Sequence, residues 1–337
     1  MRVQFALVVY LFPVTGSFAE GPTKSAPAAV VSHLADVYRT TGDYAGAERV
    51  LREGAGNPSF DSEVKGLLRN NLADLLREEG RSTEARALFE ESAGGSVDAW
   101  KLRVGALIGL ADIDRQQGNW EASIDQWNEA LEICRREHDE QSAAIALQGL
   151  GVTWLQSGTA ARAEPLLRRS LRMMENNADT PAEEIAAAHS GLGELYRSEN
   201  KLALAEDEWS RAIQIDRTVL GEAHPQVAVL MAKLADVYSV RGEFGLAREY
   251  AARVSRTMRG SFGEDSMPAA TAITNQAAVE QRAGDFDAAA RDYECAIRIT
   301  RGHPEYRALQ SVMIERYAQL LKVMHRTREA KELLALK

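Results

Sequence analysis

One spacing constrains this chain of 337 residues more than any other feature. Counting from Gly242, Leu234 stands eight places before it, Ala235 seven before, Tyr238 four before and Ala247 five after. The frame recurs along the chain. Leu34, Ala35, Tyr38, Gly42 and Ala47 fit it, as do Leu72, Ala73, Leu76, Gly80 and Ala85. Leu110, Ala111 and Gly118 follow, with Ser123 in the place of the last alanine. Then come Leu150, Gly151, Trp154, Gly158 and Ala163, and Leu192, Gly193, Tyr196, Asn200 and Ala205. Ala277, Gly284 and Ala289 mark a seventh copy, and Ala318, Leu321, His325 and Ala330 an eighth. The turn residues at 42, 80, 118, 158, 200, 242, 284 and 325 are 38, 38, 40, 42, 42, 42 and 41 places apart. A chain with this many copies in phase is a stack of one supersecondary unit.

Each copy states its own geometry. Val227, Leu230, Leu234, Val237 and Tyr238 carry helical spacing up to the turn. Gly242 supplies the left-handed backbone that ends a helix cheaply. Phe244, Ala247 and Tyr250 resume the helical period beyond it. The unit is an antiparallel helical hairpin with a short turn, its small residues placed where the two helices come closest. His224-Pro225 precedes the first helix of the sixth copy, and His303-Pro304 falls at the same point of the eighth. Both read as helix-start signals rather than as catalytic histidines. In the fifth copy Thr180 reads as N-cap, Pro181 as first helical residue and Glu183 as the capping-box partner.

The Leu-Ala/Gly pair, the aromatic three places on, the turn glycine and the later alanine resemble the tetratricopeptide repeat. The copies of 42 residues, with Leu220-Gly221-Glu222-Ala223-His224-Pro225 leading into Leu234-Ala235-Asp236-Val237-Tyr238, resemble the kinesin light chain type. The resemblance covers residues 28–337. It implies an all-α fold, a right-handed superhelical solenoid of about eight antiparallel helical hairpins. It further implies a protein-interaction scaffold whose concave groove is lined by the first helix of each hairpin.

Some relatives grip a partner's terminal carboxylate with an asparagine just after the Leu-Ala pair. That place holds Asp36, Asp74, Asp112, Val152, Glu194, Asp236, Ala278 and Gln319 here, so this mode is not expected. A different pattern replaces it: Asp36 with Arg39, Asp74 with Arg77, Asp112 with Arg115, and Glu194 with Arg197, each three apart. By the resemblance these pairs, with Asp236, face the groove and are the candidate contacts for a peptide of mixed charge. The competing reading is helix-supporting i,i+3 pairs worth a few tenths of a kcal/mol each.

Chemistry is sparsely signalled. Gly149-Leu-Gly151 and Gly191-Leu-Gly193 look like pieces of a dinucleotide fingerprint, but both lie mid-helix at one repeat phase, where close helix packing explains them. No two of the six histidines stand three or four residues apart, so no helical metal site is signalled. No catalytic residue, metal or cofactor is expected. His138-Asp139-Glu140 reads as a loop or helix start. Trp120, Trp127, Trp154 and Trp209 fall at core phases, and Trp100, opening a first helix, is expected to be partly exposed. Cys134 and Cys295, four repeats apart, are not expected to bond. The formal net charge of -9 argues against a nucleic-acid partner.

The first residues differ from the rest. Arg2, the apolar run Phe5–Phe12 and Ser17-Phe18-Ala19 form a secretory signal pattern with cleavage after Ala19, too short to span a membrane. Residues 20–27 read as a linker. The expected protein is secreted or periplasmic, or cytoplasmic if the start is retained, and monomeric unless Leu333, Leu334 and Leu336 of the last helix self-associate. Its expected work is non-catalytic binding of a protein or peptide, with a peptide or small-ligand sensor as the alternative.

Overall fold

The computed structural model describes residues 26–40, 43–94, 99–301, 303 and 306–335. The signal-peptide stretch 1–19, the turn residue Gly42 and Leu336 lie outside the described residues. Among the described residues every regular element is an α-helix, sixteen in all. The chain divides into two compact units, Met1–Ser157 and Gly158–Lys337.

The first unit contains the hairpins α1 (Ala26–Thr40) with α2 (Tyr44–Gly56), α3 (Ser62–Glu78) with α4 (Ser82–Ala93), and α5 (Trp100–Gln117) with α6 (Trp120–Arg136), then α7 (Glu140–Gln156). The second opens with α8 (Ala160–Asn176). The hairpins α9 (Ala182–Ser198) with α10 (Leu202–Leu220) and α11 (Pro225–Val240) with α12 (Phe244–Phe262) come next. They are followed by α13 (Met267–Arg282) with α14 (Phe286–Thr300) and α15 (Arg307–Val323) with α16 (Thr327–Leu334). In each unit consecutive helices pack antiparallel, and first helices also touch first helices of the next hairpin, as α3 does α5 and α11 does α13. Helix α1 begins inside the stretch read as linker.

The turns are built as the spacing requires. At Gly80 the amide of Arg81 donates to the carbonyl of Leu76 and that of Gly80 to Arg77, which closes the helix end with backbone groups alone. The same six-residue bond recurs at Asn119, Lys201, Glu243, Asp285 and Arg326. The turn residue has positive φ even where it is not glycine, 60° at Asn200 and 61° at His325. A Cβ at Gly242 would meet nothing within 4 Å, and φ there is +78°. Gly242→Ala is therefore expected to cost about 1–2 kcal/mol through the backbone alone. Gly245→Ala, in equally open space inside α12, is expected to gain up to about 1 kcal/mol from helix propensity. Opposite shifts of the urea midpoint check the pair.

Helix starts follow the sequence in part. Pro225 opens α11, and His224 Nδ1 accepts the amide of Gln226. Partial burial holds the ring below the ordinary histidine pKa, consistent with a neutral acceptor. The fifth copy is shifted by one residue from expectation. Pro181 is extended, with ψ of 138°, and precedes α9 without a side-chain cap. Asn177 explains the shift, because it accepts from the amides of Asp179 and Thr180 and so lengthens the loop. Asn57 builds the same loop before Asp61, which does cap α3. His303 also stands further from its helix than expected, since α15 begins only at Arg307, after the amide of Tyr306 donates to the carbonyl of His303; Pro304 lies outside the described residues. His138 sits at φ 57° in the loop before Asp139, the N-cap of α7.

The core has a seam rule. A large side chain nine places after a turn lies against the residue nine places before the next turn. Phe89 fills the space where a Cβ on Gly109 would come within 2.3 Å, and Trp127 does the same to Gly149. Trp209 takes the ammonium of Lys233 over its ring, 5.6 Å from the centroid. Trp209 also packs on Gly193 of its own hairpin, where a Cβ would come within 2.5 Å of the indole nitrogen. The indole of Trp127 donates to Thr153 Oγ1 at 3.1 Å, and Ser123 Oγ donates to the carbonyl of Ala111 at 2.8 Å. A serine in the alanine place is thus fully used. Leu333 and Leu334 pack against the core around α13–α16, and the two cysteines are free thiols. Burial pushes the Cys134 thiol up to about 12.

Candidate partner-binding face

The candidate residues lie on first helices, and each unit presents its own row of them. In the first unit Arg39 of α1 holds Asp36 at 3.2 Å and reaches Glu78 of α3 at 3.1 Å. Asn71 of α3 donates to Ser32 of α1 at 3.0 Å. These residues and Asp74 border a cleft of about 40 Å³, well under the few hundred Å³ that a small ligand occupies. Arg77 binds Asp74 at 3.1 Å, yet burial there outweighs the guanidinium and lifts the Asp74 carboxyl to about 6.

The third pair is placed differently. Asp112 and Arg115, 2.8 Å apart, are only 3% and 4% exposed. Arg115 also donates to Gln156 Oε1 of α7 at 3.1 Å. Arg77 is buried as well. These three side chains offer little open surface.

In the second unit the row is open and wired across helices. The expected Glu194–Arg197 pair does not form. Glu194 pairs with Lys233 of α11 instead, and Arg197 with Asp236 of α11 at 2.8 Å. Arg282 of α13 takes the other oxygen of Asp236 at 2.9 Å. The sequence offers i,i+3 neighbours on one turn, but the longer reach wins because acceptors of the next first helix stand beside the same guanidinium. Burial disfavours the Asp236 charge, yet hydrogen bonds from Arg282 and Arg197 prevail and hold the carboxyl below its usual range. Its contribution to stability is therefore present above the unfolded carboxylate pKa and lost as pH falls through the depressed value.

Apolar residues frame this row. Val229 and Val240 stand 13 and 2 places before the turn of α11, and Val312 and Val323 occupy the same places on α15. Eleven residues make about three turns, so each pair shares one helix face. All four are exposed, from 37% at Val312 to 53% at Val323. Glu78, Lys233, Arg282 and these valines were not singled out from sequence. The signal was present: Arg39–Glu78, Glu194–Lys233 and Arg197–Asp236 are each 39 residues apart.

Among the described residues no group of three or more histidines, cysteines and carboxylates converges in a way that could hold a metal ion, and no helix is long and apolar enough to cross a membrane.

Comparison with known proteins follows the same lines. The family described as the MalT-like TPR region matches residues 95–336, and a tetratricopeptide repeat family matches residues 33–99. BtubC (BKLC) from P. vanneervenii is 20% identical over 64% of this chain and 88% of its own, with a TM-score of 0.57. A signal transduction ATPase with a tetratricopeptide repeat sensor, from Pyrococcus horikoshii, is 14% identical over 93% of this chain and 47% of its own, at a TM-score of 0.67. The quorum sensor NprR from B. thuringiensis, in its apo form, is 11% identical over 93% and 98%, at 0.56. No curated protein matches the sequence.

Proposed function

The chain belongs to the MalT-like tetratricopeptide repeat family, and on that premise we propose that it is a non-catalytic scaffold that binds a protein or peptide along the first-helix face of its second unit. The observation that carries this reading is the row Arg197–Asp236–Arg282, drawn from α9, α11 and α13, with exposed valines on α11 and α15 beside it. Half-open charged groups held in place by one another lose little side-chain freedom on binding, and the valines supply area that a partner can cover. A segment lying across three first helices would read several repeats at once, which is how a solenoid acquires specificity. The first unit contributes Asp36, Arg39, Asp74 and Glu78 as a second, more closed contact zone.

The chain's leader pattern supports export, so the partner is sought in the cell envelope or the medium. Sequencing the N-terminus of the protein purified from its native source tests that part, with a start at Glu20 expected.

Affinity capture with the purified protein tests the rest. Arg282→Glu places a carboxylate beside Asp236 and is expected to weaken partner capture by at least about tenfold. Glu332→Arg on the polar face of α16 serves as the control and is expected to leave capture unchanged. Equal capture by both variants would move the site off this face.

A further inference from the structure

On the binding reading above, we propose that the partner presents a side-chain carboxylate, set among aliphatic residues, to Arg316 and Lys322 of α15.

First helices carry cations at two fixed places, nine and three before the turn. Elsewhere an acid six before a turn answers them. Lys233, nine before, takes Glu194 of the preceding first helix. Arg39, Arg77 and Arg115, three before, take Asp36, Asp74 and Asp112 of their own helices. Arg197 takes Asp236 of the next first helix. In α15 the same two places hold Arg316 and Lys322, but the acid is missing from both sources. The residue six before the turn is Ala278 on α13 and Gln319 on α15 itself. Among the described residues neither cation has an ion-pair partner.

Arg316 is half-buried and Lys322 exposed. By the seam rule Arg316 stands opposite Tyr293, as Lys233 does opposite Trp209. Burial raises the Tyr293 hydroxyl above its ordinary pKa, and Arg316 and Arg282 both pull against that rise. Two guanidinium groups from neighbouring first helices thus act at one seam. Arg282 is already committed to Asp236 and Ser239. Glu280 of α13 and Glu294 of α14 are bound by Arg248 and by the Tyr317 hydroxyl. The uncommitted charge at this end of the row is therefore positive.

A half-buried guanidinium has lost part of its water, and a carboxylate can return two parallel hydrogen bonds with a counter-charge. Val312, Arg316, Gln319 and Val323 follow one another at helical spacing, which places them on one face of α15. A carboxylate docked on Arg316 has an exposed valine on either side along the helix. An acid flanked by aliphatic side chains meets all three groups at once. A basic or wholly apolar segment leaves the cations without a counter-charge.

A random linear peptide library displayed on phage, panned on the full chain, tests the assignment. Peptides selected on the wild type are expected to share an Asp or Glu between aliphatic residues. Labelled with a fluorophore and titrated by anisotropy, they are expected to bind Arg316→Gln on the order of tenfold more weakly than the wild type. Exchange of the shared acid for its amide is expected to cost as much on the wild type and nothing further on Arg316→Gln. Arg328→Gln on α16 makes the same change of charge at another exposed place and is expected to leave binding unchanged, as is amidation of the peptide's C-terminus. Peptides without a shared acid, or equal binding to wild type and Arg316→Gln, overturn the assignment, and the face stays the site if Arg282→Glu still weakens them. Peptides that bind Arg282→Glu as well as the wild type overturn the binding reading itself. Loss of binding on amidation overturns the side-chain source of the carboxylate. A library that yields no binder to the wild type overturns both.

Discussion

Replacing Trp127 by alanine is expected to lower stability by about 3–5 kcal/mol. The indole is 1% exposed, fills the seam between α6 and α7, and donates to Thr153. Its removal leaves a cavity and takes one partner from a buried hydroxyl. The partner residue makes the expectation sharper. Gly149→Ala alone puts a methyl 2.3 Å from the ring, an overlap that only a shift of ring or helix relieves, at about 1–3 kcal/mol. In the Trp127→Ala background the same methyl enters empty space and restores helix propensity, so Gly149→Ala there is expected to stabilise by up to about 1 kcal/mol. The sign of the second substitution thus reverses with the first, a coupling that a double-mutant cycle in urea, followed by circular dichroism, reads directly. Additive costs would show that ring and glycine do not meet.

Asp112→Ala is the second substitution expected to cost about 3–5 kcal/mol, because it strands the buried Arg115 guanidinium. Arg115 would keep Gln156 but lose its counter-charge. Replacing both, as Asp112→Leu with Arg115→Met, removes the buried charges together and is expected to be close to neutral. Asp36→Ala removes the corresponding pair near the surface and is expected to cost under about 1 kcal/mol. Urea midpoints of the three variants separate a structural pair from a surface pair. A small loss in Asp112→Ala would return Asp112 and Arg115 to the binding candidates.

The hairpins were legible in the sequence because backbone geometry forces the turn residue. Positive φ selects Gly242 and Gly284, and the asparagine and histidine at 200 and 325 still adopt it. Burial of Trp127 and Trp209 was legible too, since residues nine places past a turn face the neighbouring helices, whereas Trp120 and Trp154, also expected in the core, are only half-buried. The wiring of the face was not. A single helix shows Glu194 and Arg197 as neighbours, whereas the contacts depend on how far one first helix is displaced along the next. The same holds for Pro181, where a side chain of the preceding loop, Asn177, moved the helix start. Burial of Asp112 but exposure of Asp236, at one repeat phase, depends on what packs beside each helix rather than on the residue.

The seam rule has a consequence for how such a chain can be cut and recombined. Three boundaries join a ring from one copy to a vacancy or a cation from the next: Phe89 to Gly109, Trp127 to Gly149, Trp209 to Lys233. A hairpin excised at its own helix ends carries one half of two different locks. Moved to another position it would meet a neighbour keyed to a different shape, however well its turn and alanines match. The segment that can be duplicated or transplanted intact runs instead from the second helix of one hairpin to the first helix of the next. Ancestry in this array is then better traced across its joints than along its visible repeats.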